Sequence, residues 1–306
     1  MVRKKGYLNL DLYYNKVGNE KNLILETEDE FYRCWLTINQ EKYYFKSTSD
    51  GLNEIISYEF AKLMNISCVP YDLAVFRDNY GVISKSYHKD GCIYIPGYEI
   101  LKKYYEEKLD VLLDMGFDLE NAKRNKYGGV KCSYRVQMNN LETIWEALSY
   151  YFPERDISGC MKKLVEQFIF SILSGQSDKA AHNWEIEVSK DNIELVDMFD
   201  NEESFKLFSS YSEMAVFMHN GKSTFKEVLK DFLRVSSREY IDLFLEKYNL
   251  FTEENMNKII STIEDKYNME ISSSKKNRLL EYVRNTSISI DDVLEQLNIK
   301  NNIGRK

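Results

Sequence analysis

The sequence has few of the residues that usually punctuate or staple a chain. Only 3 prolines and 13 glycines occur in 306 residues, and no low-complexity stretch is long enough to mark a linker between domains. No repeat of fixed period is present. No run of 18 apolar residues occurs, and Met1 to Gly6 is not followed by the apolar stretch of a signal peptide, so a cytoplasmic protein without a membrane span is expected. The five cysteines, Cys34, Cys68, Cys92, Cys132 and Cys160, form no C-x-x-C pair and have no histidine at ligand spacing. That excludes a zinc motif and a disulfide framework, and reduced thiols are expected. Positive charge is also short: 41 Lys and Arg against 49 Asp and Glu leave a net charge of -8, which argues against direct binding to nucleic acid phosphates.

With 43% hydrophobic and 29% charged residues, the composition is that of a globular protein too long for one small core, so two lobes or two domains are expected. From Phe31 to Lys46 two β-prone runs flank the polar Asn39-Gln40-Glu41, which predicts a hairpin. Period-2 alternation sends Tyr44 and Lys46 to one face of it and Phe45 to the other. Behind Ser49-Asp50-Gly51, apolar residues recur at helical spacing from Leu52 to Met64. Two further strands are predicted around Tyr71 to Phe76 and Gly81 to Tyr87, with Asp78 to Gly81 as the turn. From Tyr98 onward the pattern is mainly helical: Ile100 to Met115, Leu141 to Phe152, and Met161 to Leu173, closed by Gly175. A hairpin follows, Trp184 to Val188 and Ile193 to Val196. The last hundred residues read as helices over 225–233, 238–248, 253–267, 275–284 and 291–297, with Ser272 to Lys276 as an exposed turn between them and a frayed tail after Ile299.

Phosphoryl transfer needs a carboxylate near the nucleophilic hydroxyl, oxygen ligands for magnesium and a cation on the phosphates, because the reaction is mostly positioning and charge stabilisation. Asp178-Lys179-Ala180-Ala181-His182-Asn183 supplies an Asp followed five positions later by an Asn, the spacing of base and metal ligand in catalytic loops of that chemistry. An apolar helix leads into Asp178. The hairpin that leaves from Asn183 returns to Asp197-Met198-Phe199-Asp200, so a carboxylate after its second strand is expected near the Asn before its first. Asp197 and Asp200 compete for that place.

These segments resemble the HipA-like protein kinases, including the shorter CtkA-like group. Asp178-x4-Asn183-Trp184 is similar to their catalytic loop, and Phe199-Asp200-Asn201 to the later metal-binding motif. Tyr44-Phe45-Lys46 resembles the strand with the phosphate-binding Lys, Glu54 to Ile66 the helix that opens with its Glu partner, and Gly81 to Tyr87 the strand entering the adenine-binding hinge. The resemblance covers about Phe31 to Asn201 and runs loosely through the helical remainder. It implies an α+β, bilobal protein-kinase-like fold: a small β-rich N-lobe over 1–90 and a mainly helical C-lobe over 91–306. It implies ATP and Mg2+ as cofactors, with Asp178 as the base or hydroxyl-orienting group, Asn183 and Asp200 as magnesium ligands, Lys46 on the α- and β-phosphates and Glu54 as its ion-pair partner. Lys85 and Tyr87 would meet adenine through backbone groups.

The resemblance further implies a protein substrate phosphorylated on Ser or Thr, a toxin-type role in growth or translation, and an antitoxin or other regulatory partner. The sequence departs from the family in two places. Ala180 stands where a His is usual, with His182 next to the Asn instead, and the acidic Glu26-Thr27-Glu28-Asp29-Glu30 occupies the region of the phosphate-covering loop. Two rivals stay open: a small-molecule phosphotransferase of the aminoglycoside-kinase type, in which Gln176 would stand where a His is usual, and a nucleotide-binding pseudokinase.

Overall fold

The computed structural model describes residues 3–4, 6–11, 23–25, 33–38, 41–107, 141–176, 181, 183–206 and 225–299. In chain order the strands are β1 (Arg3–Lys4), β2 (Tyr7–Asn9), β3 (Leu23–Leu25), β4 (Arg33–Ile38), β5 (Glu41–Ser47), β6 (Tyr71–Phe76), β7 (Asn79–Lys85), β8 (Ile93–Pro96), β9 (Glu185–Val188) and β10 (Ile193–Leu195). The helices are α1 (Gly51–Leu63), α2 (Gly97–Glu107), α3 (Leu141–Tyr151), α4 (Ser158–Ser174), α5 (Phe225–Val235), α6 (Arg238–Leu250), α7 (Glu253–Tyr267) and α8 (Ser273–Gln296). No helix among the described residues is long and apolar enough to cross a membrane.

Two compact units emerge. The first gathers Met1–His88, Asp200–Leu207 and Leu250–Ser287; the second gathers the remainder. The sequence division at residue 90 is contiguous, whereas the units are not: α7, the first part of α8 and the segment around Asp200 cluster with the N-terminal sheet.

The first unit is built on a seven-stranded sheet in the order β1-β2-β6-β7-β5-β4-β3. Its pairs are antiparallel apart from β2 with β6. Alternation divides the two faces. Leu8, Cys34, Leu36, Phe45, Phe76 and Ile83 pack into one apolar layer, so Lys46, the next residue after Phe45, points to the opposite face. That is the face α1 covers, packing on β6 and β7 with Ile55, Ile56 and Phe60 fully buried. The helix ends where Asn65 turns left-handed (φ 54°) and Ile66 N–H reaches back to the Ala61 carbonyl. Helix α7 packs on α1 in turn, and the rings of Phe60, Phe205, Phe251 and Tyr282 meet edge to face with centroids 5.5–6.3 Å apart.

Two elements differ from the sequence expectation. The β6–β7 turn is the pair Arg77-Asp78, both left-handed (φ 48° and 61°), as a two-residue hairpin requires. Asn79 to Gly81 therefore lie in the strand. Gly81 is there because β5 passes so close that a Cβ would strike the Lys46 carbonyl oxygen and come within 2.7 Å of the Ser47 Cα. Helices expected over 275–284 and 291–297 are one continuous α8. The intervening Thr286, Ser287 and Ile290 are poor helix formers, but they are buried, and packing overrides local propensity. The exposed turn expected at Ser272 to Lys276 shrinks to a cap: Ser272 Oγ accepts from Lys275 N–H at 3.3 Å, and the helix starts at Ser273.

In the second unit β8, β9 and β10 form an antiparallel sheet with β9 at its centre. Helix α4, almost wholly buried from Leu164 to Ser174, packs on β10 and against α5. Gly175, at φ 65°, closes it as a left-handed C-cap, as its sequence position predicts. Gly97 starts α2 where any side chain would collide with the Trp184 ring. The tail after Ile299 and the part of the expected Ile100 to Met115 helix that follows Glu107 lie outside the described residues.

Candidate active site

Lys46 is the focus of the first unit's polar centre. Its Nζ stands 2.5 Å from Asp200 Oδ1, 3.0 Å from Glu202 Oε1 and 3.7 Å from Glu54 Oε1. Lys46 retains 7% of its surface and Glu54 none. Burial alone would pull the lysine pKa down; the attraction of Asp200, then Glu54, then Glu202 outweighs it, and the net shift is upward. Lys46 is therefore an ammonium throughout the physiological range. Three carboxylates around one ammonium leave two negative charges in excess, an arrangement that favours an added cation.

The carboxylates converge because α1 and β6 hold the turn Asp200-Asn201-Glu202 by its backbone. Tyr71 Oη accepts from Asp200 N–H (3.3 Å), Glu54 Oε2 accepts from Asn201 N–H (2.8 Å), Ser57 Oγ donates to the Asn201 carbonyl (3.3 Å) and Asn53 Nδ2 donates to the Glu202 carbonyl (2.8 Å). Asp200 itself sits at φ 56°, a left-handed conformation costing an L-residue about 1–2 kcal/mol, which these four contacts offset. Burial first and Glu54 second push the Tyr71 phenol well above its ordinary pKa, so it stays a neutral acceptor.

A magnesium ion is held by one or two carboxylates, with phosphate and water completing an octahedron. Asp200 and Glu202 fit that requirement. Glu202 Oε2 is buried with no hydrogen-bond partner among the described residues, while no group of three His, Cys, Asp or Glu forms a ready-made cage among them.

The second unit carries Asn183, which is buried, at the entrance to the β9–β10 hairpin. Ile186 pairs with Leu195 and Val196 N–H donates to the Glu185 carbonyl (2.9 Å), so the returning chain stands level with the residues that follow Asn183. Gln167, buried on α4, pins that return by donating to the Val196 carbonyl at 2.9 Å. Asp197, the rival of Asp200, lies 3.6 Å from Lys163 Nζ, and Glu194 shares the same lysine. Of the two aspartates, Asp200 is the one beside Lys46.

Of the residues singled out in the sequence, Lys46, Glu54 and Asp200 are brought together. Lys85 ends β7, three residue pairs along from Lys46, with its side chain ion-paired to Glu41. Hydrogen bonding to Glu41 raises its pKa. Beyond it Ser86 N–H donates to the Lys42 carbonyl (2.8 Å) and the Tyr87 ring meets His88 edge-on. Asp178, His182 and the acidic stretch Glu26 to Glu30 lie outside the described residues. Sequence reasoning missed Glu202, Tyr71, Asn53 and Ser57. Glu202 and Asn53 sit beside residues already chosen, but nothing in their spacing distinguishes them from the other polar residues of their segments.

No protein-family model matches the chain, and no curated protein matches it in sequence. Solved structures do. The proinflammatory kinase CtkA of Helicobacter pylori aligns with a TM-score of 0.57 at 13% identity, covering 87% of this chain and 95% of that chain. HipA of Shewanella oneidensis MR-1, from a toxin-antitoxin complex with HipB and operator DNA, gives 0.48 at 11% identity over 92% and 68%. The choline kinase LicA of Streptococcus pneumoniae gives 0.29 at 15% identity over 96% and 92%. The expected α+β kinase-like architecture is thus borne out: this chain has the fold of the CtkA-like kinases.

Proposed function

We propose that the chain is a magnesium- and ATP-dependent protein kinase that transfers the γ-phosphate to a Ser or Thr hydroxyl. The observation that carries this reading is Lys46, held between the fully buried Glu54 and Asp200 on a CtkA-like fold. Lys46 contacts the α- and β-phosphates of the nucleotide, and Glu54 fixes the direction in which its ammonium points. Asp200 and Asn183 would hold magnesium, which would neutralise charge on the phosphates. Asp178 orients the acceptor hydroxyl and takes its proton. Backbone groups at Lys85 and Tyr87 meet the adenine edge. The reading includes a cytoplasmic location and regulation by a protein partner of antitoxin type.

The acceptor class is decided by incubating the purified protein with γ-labelled ATP and magnesium, alone, with a cell protein extract, and with a small-molecule fraction of that extract. Label on Ser or Thr of a protein is the expected result. Label on small molecules alone would replace the protein acceptor by an aminoglycoside-kinase type of reaction, and nucleotide binding with no transfer would make the chain a pseudokinase.

A further inference from the structure

Asn53 links two parts of the first unit that are far apart in sequence. It precedes Glu54 on the first turn of α1, is fully buried, and both ends of its amide are engaged. Nδ2 donates to the Glu202 carbonyl (2.8 Å), and Oδ1 accepts from the Nζ of Lys275 (2.5 Å), 222 residues away on the first turn of α8. The chemistry of the pair fixes its orientation. An ammonium can only donate, so Oδ1 must face Lys275, and that leaves Nδ2 to face the carbonyl of Glu202. Turned over, the amide would set oxygen against oxygen at Glu202 and nitrogen against ammonium at Lys275.

We propose that Lys275 is a positioning residue for the Asp200-Asn201-Glu202 turn, acting through the Asn53 amide. The ammonium occupies this place against local opposition. Burial lowers its pKa; Asp50 pulls it back up, and Arg278 and Lys206 push it down again. Its backbone is set by the Ser272 cap, and α8 is anchored on the same unit by the Tyr282 ring against Phe205 and Phe251. The C-terminal helix thereby secures one of the four contacts that hold Asp200 in its left-handed conformation beside Lys46. Its consequence for phosphate transfer rests on the kinase reading; its structural part does not.

Hydrogen exchange over residues 199–206 reads the turn directly, in the full-length protein and without nucleotide. Lys275→Met should speed exchange there roughly tenfold or more, the range for losing a hydrogen bond to a charged group. Exchange over β6 and β7 should stay unchanged, and Lys275→Arg, which keeps a donor, should restore most of the protection. Adding Lys275→Met to Asn53→Ala should change the turn no further than Asn53→Ala alone, since both remove one link. Should the methionine variant fail to fold, Lys275→Gln, a weaker neutral donor, should give a smaller acceleration in the same segment. Normal exchange in these variants, or an effect that adds to that of Asn53→Ala, overturns the relay. Transfer by Lys275→Met should fall in kcat with KM for ATP little changed; faster exchange with unaltered transfer overturns its functional part. Absence of transfer by the wild type would count against the kinase reading alone, because the exchange result stands without it.

Discussion

Replacing Lys46 by Met removes the cation at the centre of three carboxylates while keeping most of the side-chain volume. Breaking a buried ion pair by deleting one partner costs about 3–5 kcal/mol, because the remaining charge stays buried without compensation. Two features place this case at the lower end. Asp200 and Glu202 keep 32% and 24% of their side-chain surface and can be hydrated, and Glu54, with none, still accepts from Asn201 N–H. A loss of about 3 kcal/mol at pH 7 follows, a large part of the ~5–15 kcal/mol that holds a typical protein folded. In a urea titration it should move the unfolding midpoint of the first unit down by about 1–2 M.

The pH dependence carries the sharper test. In the wild type the Lys46 pKa is raised above 10.5, so its stabilising share is complete below that value and is lost only as pH climbs through the raised one. The variant lacks this share at pH 5 as at pH 7, so the deficit is present at both. A deficit under about 1 kcal/mol at both pH values, or one that grows on acidification, would refute the coupling of Lys46 to the three carboxylates.

Three further outcomes follow from the same geometry. Gly81→Ala drives a Cβ into the Lys46 carbonyl of the neighbouring strand, and differential scanning calorimetry should show a loss of about 1–3 kcal/mol together with weakened nucleotide binding. Tyr71→Phe removes the acceptor for Asp200 N–H; about 1 kcal/mol of stability should go, with transfer falling more than nucleotide affinity does. Gly97→Ala collides with the Trp184 ring and should destabilise the second unit, read as earlier loss of Trp fluorescence in the thermal melt.

Much of the centre was legible because it rests on local periodicity. Strict alternation along Tyr44-Phe45-Lys46 separates a core phenylalanine from a lysine on the α1 face, and the apolar spacing behind Ser49 places Glu54 on the first turn of a helix over that face. The contacts that lock the centre leave no such trace. Tyr71, Asn53 and Lys275 reach their partners across 129, 149 and 222 residues, and each is an ordinary polar residue in its own segment. Gly81 looked like a turn residue beside Asp78-Asn79, when its role is close strand approach, visible only once β5 is paired with β7. The continuity of α8 is hidden because Thr286, Ser287 and Ile290 disfavour helix locally, and their burial is a tertiary fact.

The central claim, phosphate transfer by the centre at Lys46 and Asp200, is tested most directly by γ-labelled transfer from ATP with Asp200→Ala and Asp178→Ala beside the wild type. The account predicts that each variant loses about 10²- to 10⁴-fold in rate, the usual cost of removing a general base or a magnesium carboxylate, while remaining folded. Transfer at the wild-type rate in both variants would contradict it.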